Sequence, residues 1–163
     1  MKSKTAVIVL CLAVIVGHSM AASQKATAQV ADQSNGGKIE GTWRVQVTVR
    51  NCQTGDEVRT FPAILTFAQG GNLTGTTTVV PVALRSPDHG VWNFKGAGNY
   101  RAVSEAFLFN PAGAWVSTQR ITQAIDLAPN SNTFTSNASV EFFDTLGNTT
   151  STGCSTAVAT RME

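Results

Sequence analysis

Three groups of side chains in this sequence have types and spacings that bear on chemistry. Ser86-Pro87-Asp88-His89-Gly90 sets a hydroxyl, a carboxylate and an imidazole close together, the group types of a nucleophile, its base and the base's orienter. Adjacency works against such a relay. Side chains of neighbouring residues diverge in most backbone conformations, so Asp88 is poorly placed to hold the second ring nitrogen of His89. The segment is better read as structure, with Asp88 in a turn or cap, Gly90 at positive φ and His89 as a loop anchor, and no catalytic residue is assigned. Arg101 and Glu105 share one parity with Val103, Phe107 and Phe109, while Tyr100, Ala102, Ser104, Ala106 and Leu108 share the other. If the first face looks inward it offers an acid and a base. The second is favoured, because long charged side chains are rarely buried unpaired, and it would leave room beside the Tyr100 and Ser104 hydroxyls. Ser117, Gln119 and Gln123 share a parity with Trp115, Ile121 and Ile125. A buried amide without a partner costs roughly 1 to 3 kcal/mol. Two glutamines therefore suit a site where a ligand or ordered water completes their hydrogen bonds better than they suit a filled core.

The elements that must position these groups are strands. Trp43, Val45, Val47 and Val49 alternate with Arg44, Gln46, Thr48 and Arg50, the period of a strand with one buried face. Phe61, Ala63, Leu65 and Phe67 repeat the pattern. Further strands are expected over Leu73 to Val80, Val91 to Phe94, Tyr100 to Phe109, Trp115 to Ile125, Phe134 to Phe142 and Thr149 to Thr160, separated by Gly- and Asn-rich turns. Pro81 to Gly90 is expected to be the longest irregular loop. Eight strands joined in order by mostly short turns make a meander, and closing it removes both exposed edges. The fold class is therefore all-β, an eight-stranded antiparallel up-and-down barrel. A two-sheet sandwich is the alternative, but it needs a long crossover, and only Pro81 to Gly90 is long enough to suggest one.

The N-terminus bears on compartment and partners. Lys2 and Lys4 precede an apolar run from Thr5 to Val16 and the small residues Ser19, Ala21 and Ala22, the layout of a secretory signal peptide, assigned to 1–21. The run falls well short of the ~20 residues needed to span a bilayer, so no membrane span is expected. Residues 22–38 read as a flexible leader, and 39–163 as a single domain. Of 12 basic residues two lie in the signal, which leaves a body balanced against its 10 acidic residues. Neutrality argues against nucleic acid as a partner. In an exported chain Cys52 and Cys154 are expected to pair. The alternatives are free thiols or a metal site completed by His89, which falls short of the four ligands of a closed zinc site. If Cys52 lies opposite Cys154 on antiparallel first and last strands, Val45 faces Arg161, within reach of Trp43, and the bridge staples the barrel shut. No metal and no cofactor is expected.

Gly41-Thr42-Trp43 at the head of the first strand, with Arg161 ending the last, resembles the calycins, the lipocalins and their relatives, in which a Gly-X-Trp packs beneath an arginine from the end of the barrel. Gly41, Trp43 and Arg161 then have structural roles. The Thr-Asp-Tyr motif of lipocalins and their helix after strand eight have no counterpart, so lipocalin transport is not carried over. Gly41-Thr42-Trp43 and Leu73-Thr74-Gly75-Thr76 are also similar to strands of the avidins. The leader, disulfide and Gly-X-Trp start resemble secreted bacterial inhibitors of metalloproteases.

The function expected first is a secreted or periplasmic barrel that binds a small apolar or amphipathic molecule. Its cavity lining is expected to comprise Trp92, Phe94, Tyr100, Ser104, Trp115, Ser117, Gln119, Gln123, Phe134 and Ser136, an apolar wall with a few oriented polar groups. An eight-stranded barrel is just wide enough either to be filled by side chains or to hold one ligand. The rivals are an isomerase or cyclase resembling allene oxide cyclase, which needs few ionisable groups, and an inhibitor-like barrel that binds a protein partner.

Overall fold

The computed structural model describes residues 38–163. The signal peptide and all of the leader but Lys38 lie outside the described residues. Eight strands follow in order: β1 (Gly41–Arg50), β2 (Glu57–Ala68), β3 (Asn72–Thr77), β4 (Asp88–Gly96), β5 (Asn99–Phe109), β6 (Trp115–Leu127), β7 (Thr133–Phe143) and β8 (Thr149–Arg161). Each pairs antiparallel with its neighbours in sequence, and β8 closes onto β1, giving a closed eight-stranded antiparallel barrel. The expected architecture is met, and the sandwich is excluded.

The alternation of side chains divides inside from outside. Trp43 and Val45 of β1, Ala63, Leu65 and Phe67 of β2, and Ala157 and Ala159 of β8 are buried. The intervening positions face outward and carry many polar side chains beside the exposed Ile64 and Val158; Thr42 meets Thr66 and Thr48 meets Thr60 across β1 and β2, both at 3.1 Å. Such threonine pairs suit a pleated, solvated surface, which accounts for much of the chain's threonine.

At the end where β1 begins, the barrel is packed solid. Trp43 is fully enclosed, and its indole Nε1–H donates to the Ile39 carbonyl at 2.8 Å. Phe134 lies 4.8 Å from it, Phe67 lies 6.0 Å from Phe134, and Trp92 and Tyr100 meet 5.8 Å apart, in tilted and edge-on contacts of the kind aromatic rings prefer. The Arg161 guanidinium lies 4.2 Å from the Trp43 ring centroid, within cation–π range. It donates to the carbonyls of Lys38, Glu40 and Ser131. Gly41 is obligatory beneath it: its φ is +120°, and a Cβ there would lie 2.8 Å from Arg161 Nη1.

The register of closure differs from expectation by two residues. Trp43 itself, not Val45, lies opposite Arg161, and Cys154 lies opposite Arg50. Cys52 reaches Cys154 from the turn after β1, with Cα atoms 5.4 Å apart. Because side chains alternate with period two, an even slip leaves every face assignment intact.

The β3–β4 connection also departs from expectation. β3 ends at Thr77, and a 3-10 turn spans Val82–Leu84. β4 starts at Asp88 rather than Val91, so Asp88, His89 and Gly90 belong to a strand. Gly90 has no positive φ. Its small size is needed for another reason: a Cβ there would sit 2.0 Å from the Val103 carbonyl oxygen on β5.

Candidate functional site

Above the aromatic floor the barrel is hollow, with a cavity of about 210 Å³. Its walls differ in chemistry. Val45, Val47 and Val49 of β1 with Phe61, Ala63 and Leu65 of β2 make one side apolar. Arg85, Asp88, Ser104, Gln119, Gln123 and Ser136, carried by β4 to β7 and the segment before β4, set polar groups among Ile121, Ala138 and Val140 on the facing side.

The polar wall is organised by an ion pair that sequence patterning did not locate. Arg85 Nη1 and Nη2 meet Asp88 Oδ2 and Oδ1 at 3.0 and 2.7 Å, with only 4% and 6% of the two side chains exposed. Arg85 Nε donates to Gln119 Oε1 at 3.0 Å, and Nη1 also donates to the Ser86 carbonyl at 3.3 Å. A bidentate pair with further hydrogen bonds from Nε and Nη1 is the form in which buried charges are tolerated.

Local backbone pairing brings these groups inside. After the 3-10 turn that follows Pro81, Arg85 is extended and bridges to Leu108 of β5. Ser86 N–H donates to the Phe107 carbonyl, and Ser86 Oγ accepts from Phe107 N–H, both at 2.9 Å. Residues 85 and 86 thus prolong the β4 edge against β5, which turns Arg85 toward the lumen. Asp88 opens β4 opposite Gly75, where a Cβ would lie 2.5 Å from Leu65 Cδ2 and 3.5 Å from Asp88 Cβ. Close approach is what Gly75 provides.

The expected site residues fall into four places. Ser104, Gln119, Gln123 and Ser136 line the cavity. Trp92, Tyr100 and Phe134 are buried in the floor, with Phe94 packed against them, so for these four the expected cavity lining is corrected. The barrel is simply full where β1 starts, because five large rings converge there. Ser117 sits nearer the upper rim, where its hydroxyl donates to the Phe143 carbonyl at 2.8 Å. Trp115 is also corrected, being 44% exposed and edge-on to the outward-facing Phe107 at 5.9 Å. A register shift pairs it with Phe109, and that bulge reverses the parity it would otherwise share with Ser117.

On β5 the smaller face looks inward. Tyr100, Ala102, Ser104 and Ala106 are buried, and Glu105 pairs outside with Arg120 at 2.7 Å. Burial raises the Tyr100 phenol above its ordinary pKa of 10.0, against the lowering effects of a backbone hydrogen bond at Ile39 and of Arg161. Asp88 and His89 point to opposite faces, buried and exposed respectively, so they form no relay.

Two features could have revealed Arg85 and Asp88. Gln119 on an inward parity demands a partner, and a Gly at position 75 leaves room for one. The prolines at 81 and 87 concealed them, since they mark a loop.

No family model matches the chain, and no curated protein matches it. Among solved structures it is similar to a protein of unknown function from the DUF3598 family of Nostoc punctiforme, at 11% identity and a TM-score of 0.37, over 77% of this chain and 48% of that one. The chain thus spans about half the length of that protein.

Proposed function

We propose that this is an exported barrel of calycin type that holds a small, largely apolar molecule in its upper cavity. The observation that carries the reading is the cavity itself, hollow above a solid floor and apolar on one side, with polar groups gathered on the other. That is the composition of a small-molecule site. At about 210 Å³ it has room for about seven waters at their liquid volume, which suits a compact ligand rather than a long chain. The Trp43–Arg161 stack over Gly41 supports the calycin resemblance, and the Cys52–Cys154 bond fits an oxidising compartment. Native mass spectrometry of protein purified without denaturation tests the reading. A retained small-molecule adduct, lost on unfolding, is the expected result. A bare polypeptide mass that no added compound shifts would overturn it.

A second reading has one observation in its favour. Phe107 and Trp115 stack on the outer wall at 51% and 44% exposure, beside Val116. Exposed aromatics of this kind are enriched in protein interfaces. Phe107→Ser with Trp115→Ser would abolish a protein interaction while leaving ligand retention unchanged.

A further inference from the structure

We infer that the cavity selects a compact uncharged carbonyl compound, such as a ketone, lactone or amide, over a carboxylate or a plain hydrocarbon of the same size. The inference rests on the small-ligand reading above and names the chemistry of that site.

The first element is a donor of fixed sense. An arginine nitrogen can only donate, so the Gln119 atom that meets Arg85 Nε must be the carbonyl oxygen. The Gln119 amide nitrogen is thereby left with two N–H groups, for which no acceptor is present among the described residues. Ser104 Oγ likewise has no partner among them, and Gln123 is held only by a 3.5 Å contact from Ser136 Oγ, at the limit of hydrogen bonding. Among the described residues no fully enclosed side-chain nitrogen or oxygen lacks a partner, so these groups must reach open space. All three residues line the cavity. A ligand carbonyl oxygen would accept from Gln119, with Ser104 and Gln123 able to donate or accept beside it.

The second element is charge. Asp88 neutralises Arg85 through both carboxylate oxygens, so the polar wall holds two charges and no net charge. A carboxylate seated there would face Asp88 without a cation of its own, at a desolvation cost of several kcal/mol for the ion in the general case. The other lining cation, Arg59, is exposed, with its guanidinium 5.7 Å from the ring centroid of Phe61. Opposite, apart from Arg59 the β1–β2 side offers valine, alanine, leucine and phenylalanine to the rest of the ligand.

Acetophenone, benzoate and isopropylbenzene, which are matched in size, separate the possibilities in an NMR titration of the oxidised protein near neutral pH. Acetophenone should bind at least about tenfold more tightly than benzoate, and roughly three- to tenfold more tightly than isopropylbenzene, the worth of one hydrogen bond. Gln123→Leu, which strands no buried cation, should reduce that preference over isopropylbenzene. Benzoate binding most tightly, with the gain lost in Arg59→Gln, would overturn the inference and leave the small-ligand reading standing. Equal binding of acetophenone and isopropylbenzene would do the same. Saturable binding by none of the three overturns the inference, whereas the small-ligand reading is tested separately by the native mass measurement.

Discussion

Replacing Asp88 by Asn probes the polar wall at its most sensitive point. The substitution keeps the shape of the side chain but leaves the Arg85 guanidinium uncompensated, in a place where 4% of that side chain is exposed. In a bidentate pair the charge centres are about 4 Å apart, which at an effective dielectric constant near 20 amounts to about 4 kcal/mol of lost attraction. Removing one partner of a buried pair typically costs 3 to 5 kcal/mol, so the two routes agree. Urea unfolding of the oxidised protein, followed by tryptophan fluorescence, should therefore show Asp88→Asn destabilised by about 3 to 5 kcal/mol. The double variant Arg85→Leu/Asp88→Ala removes both charges and should recover most of that loss, since buried ion pairs are often no better than apolar packing. A cost below about 1 kcal/mol for the single variant would place the pair in solvent. A double variant as unstable as the single one would show that the loss is not electrostatic.

Further expectations follow from the closed end and the sheet. Trp43→Ala should cost about 3 to 5 kcal/mol in the same assay, as for other large core aromatics, because it removes the ring that Phe134 and Arg161 pack against. Gly90→Ala forces β4 and β5 apart at the Val103 carbonyl and should cost about 3 kcal/mol, the upper end for overpacking. Oxidised protein should contain no free thiol at Cys52 or Cys154, and reduction should lower stability by roughly 4 to 5 kcal/mol on the chain-entropy relation for a loop closed over a separation of 102 residues. Tyr100 is the sole tyrosine, so absorbance titration of tyrosinate reports it directly. Its folded pKa is raised from 10.0 by burial. The folded state therefore holds the proton after the unfolded chain has lost it, and stability should fall as pH rises above 10.0.

Most of the barrel was legible because its strands alternate cleanly and its turns carry glycine or asparagine. The inward parity of β5 followed from the cost of burying Arg101 and Glu105, and Gln119 and Gln123 were placed in the cavity by parity alone. What failed were features set by pairing that period-two alternation does not carry. A register shift, with Leu108 opposite Ser117 but Phe109 opposite Trp115, leaves Val116 as the extra residue and sends Trp115 outward, and no turn residue or break in the alternation marks it. Arg85 turns inward through pairing with Phe107 and Leu108, which a stretch flanked by prolines does not advertise. Periodicity shows which way Trp92, Phe94, Tyr100 and Phe134 face but not their height along the barrel axis, so floor and cavity wall could not be told apart.

Methyl NMR with a panel of compact compounds tests the ligand-binding cavity most directly. Ile121, Ala138 and Val140 line it from the inside, whereas Ile64 and Val91 are exposed outside. At least one compound should shift the inner methyls saturably while leaving the outer ones unchanged. Shifts confined to Ile64, Val91 and the Phe107–Trp115 face, or none at all across the panel, would contradict a cavity built to hold a ligand.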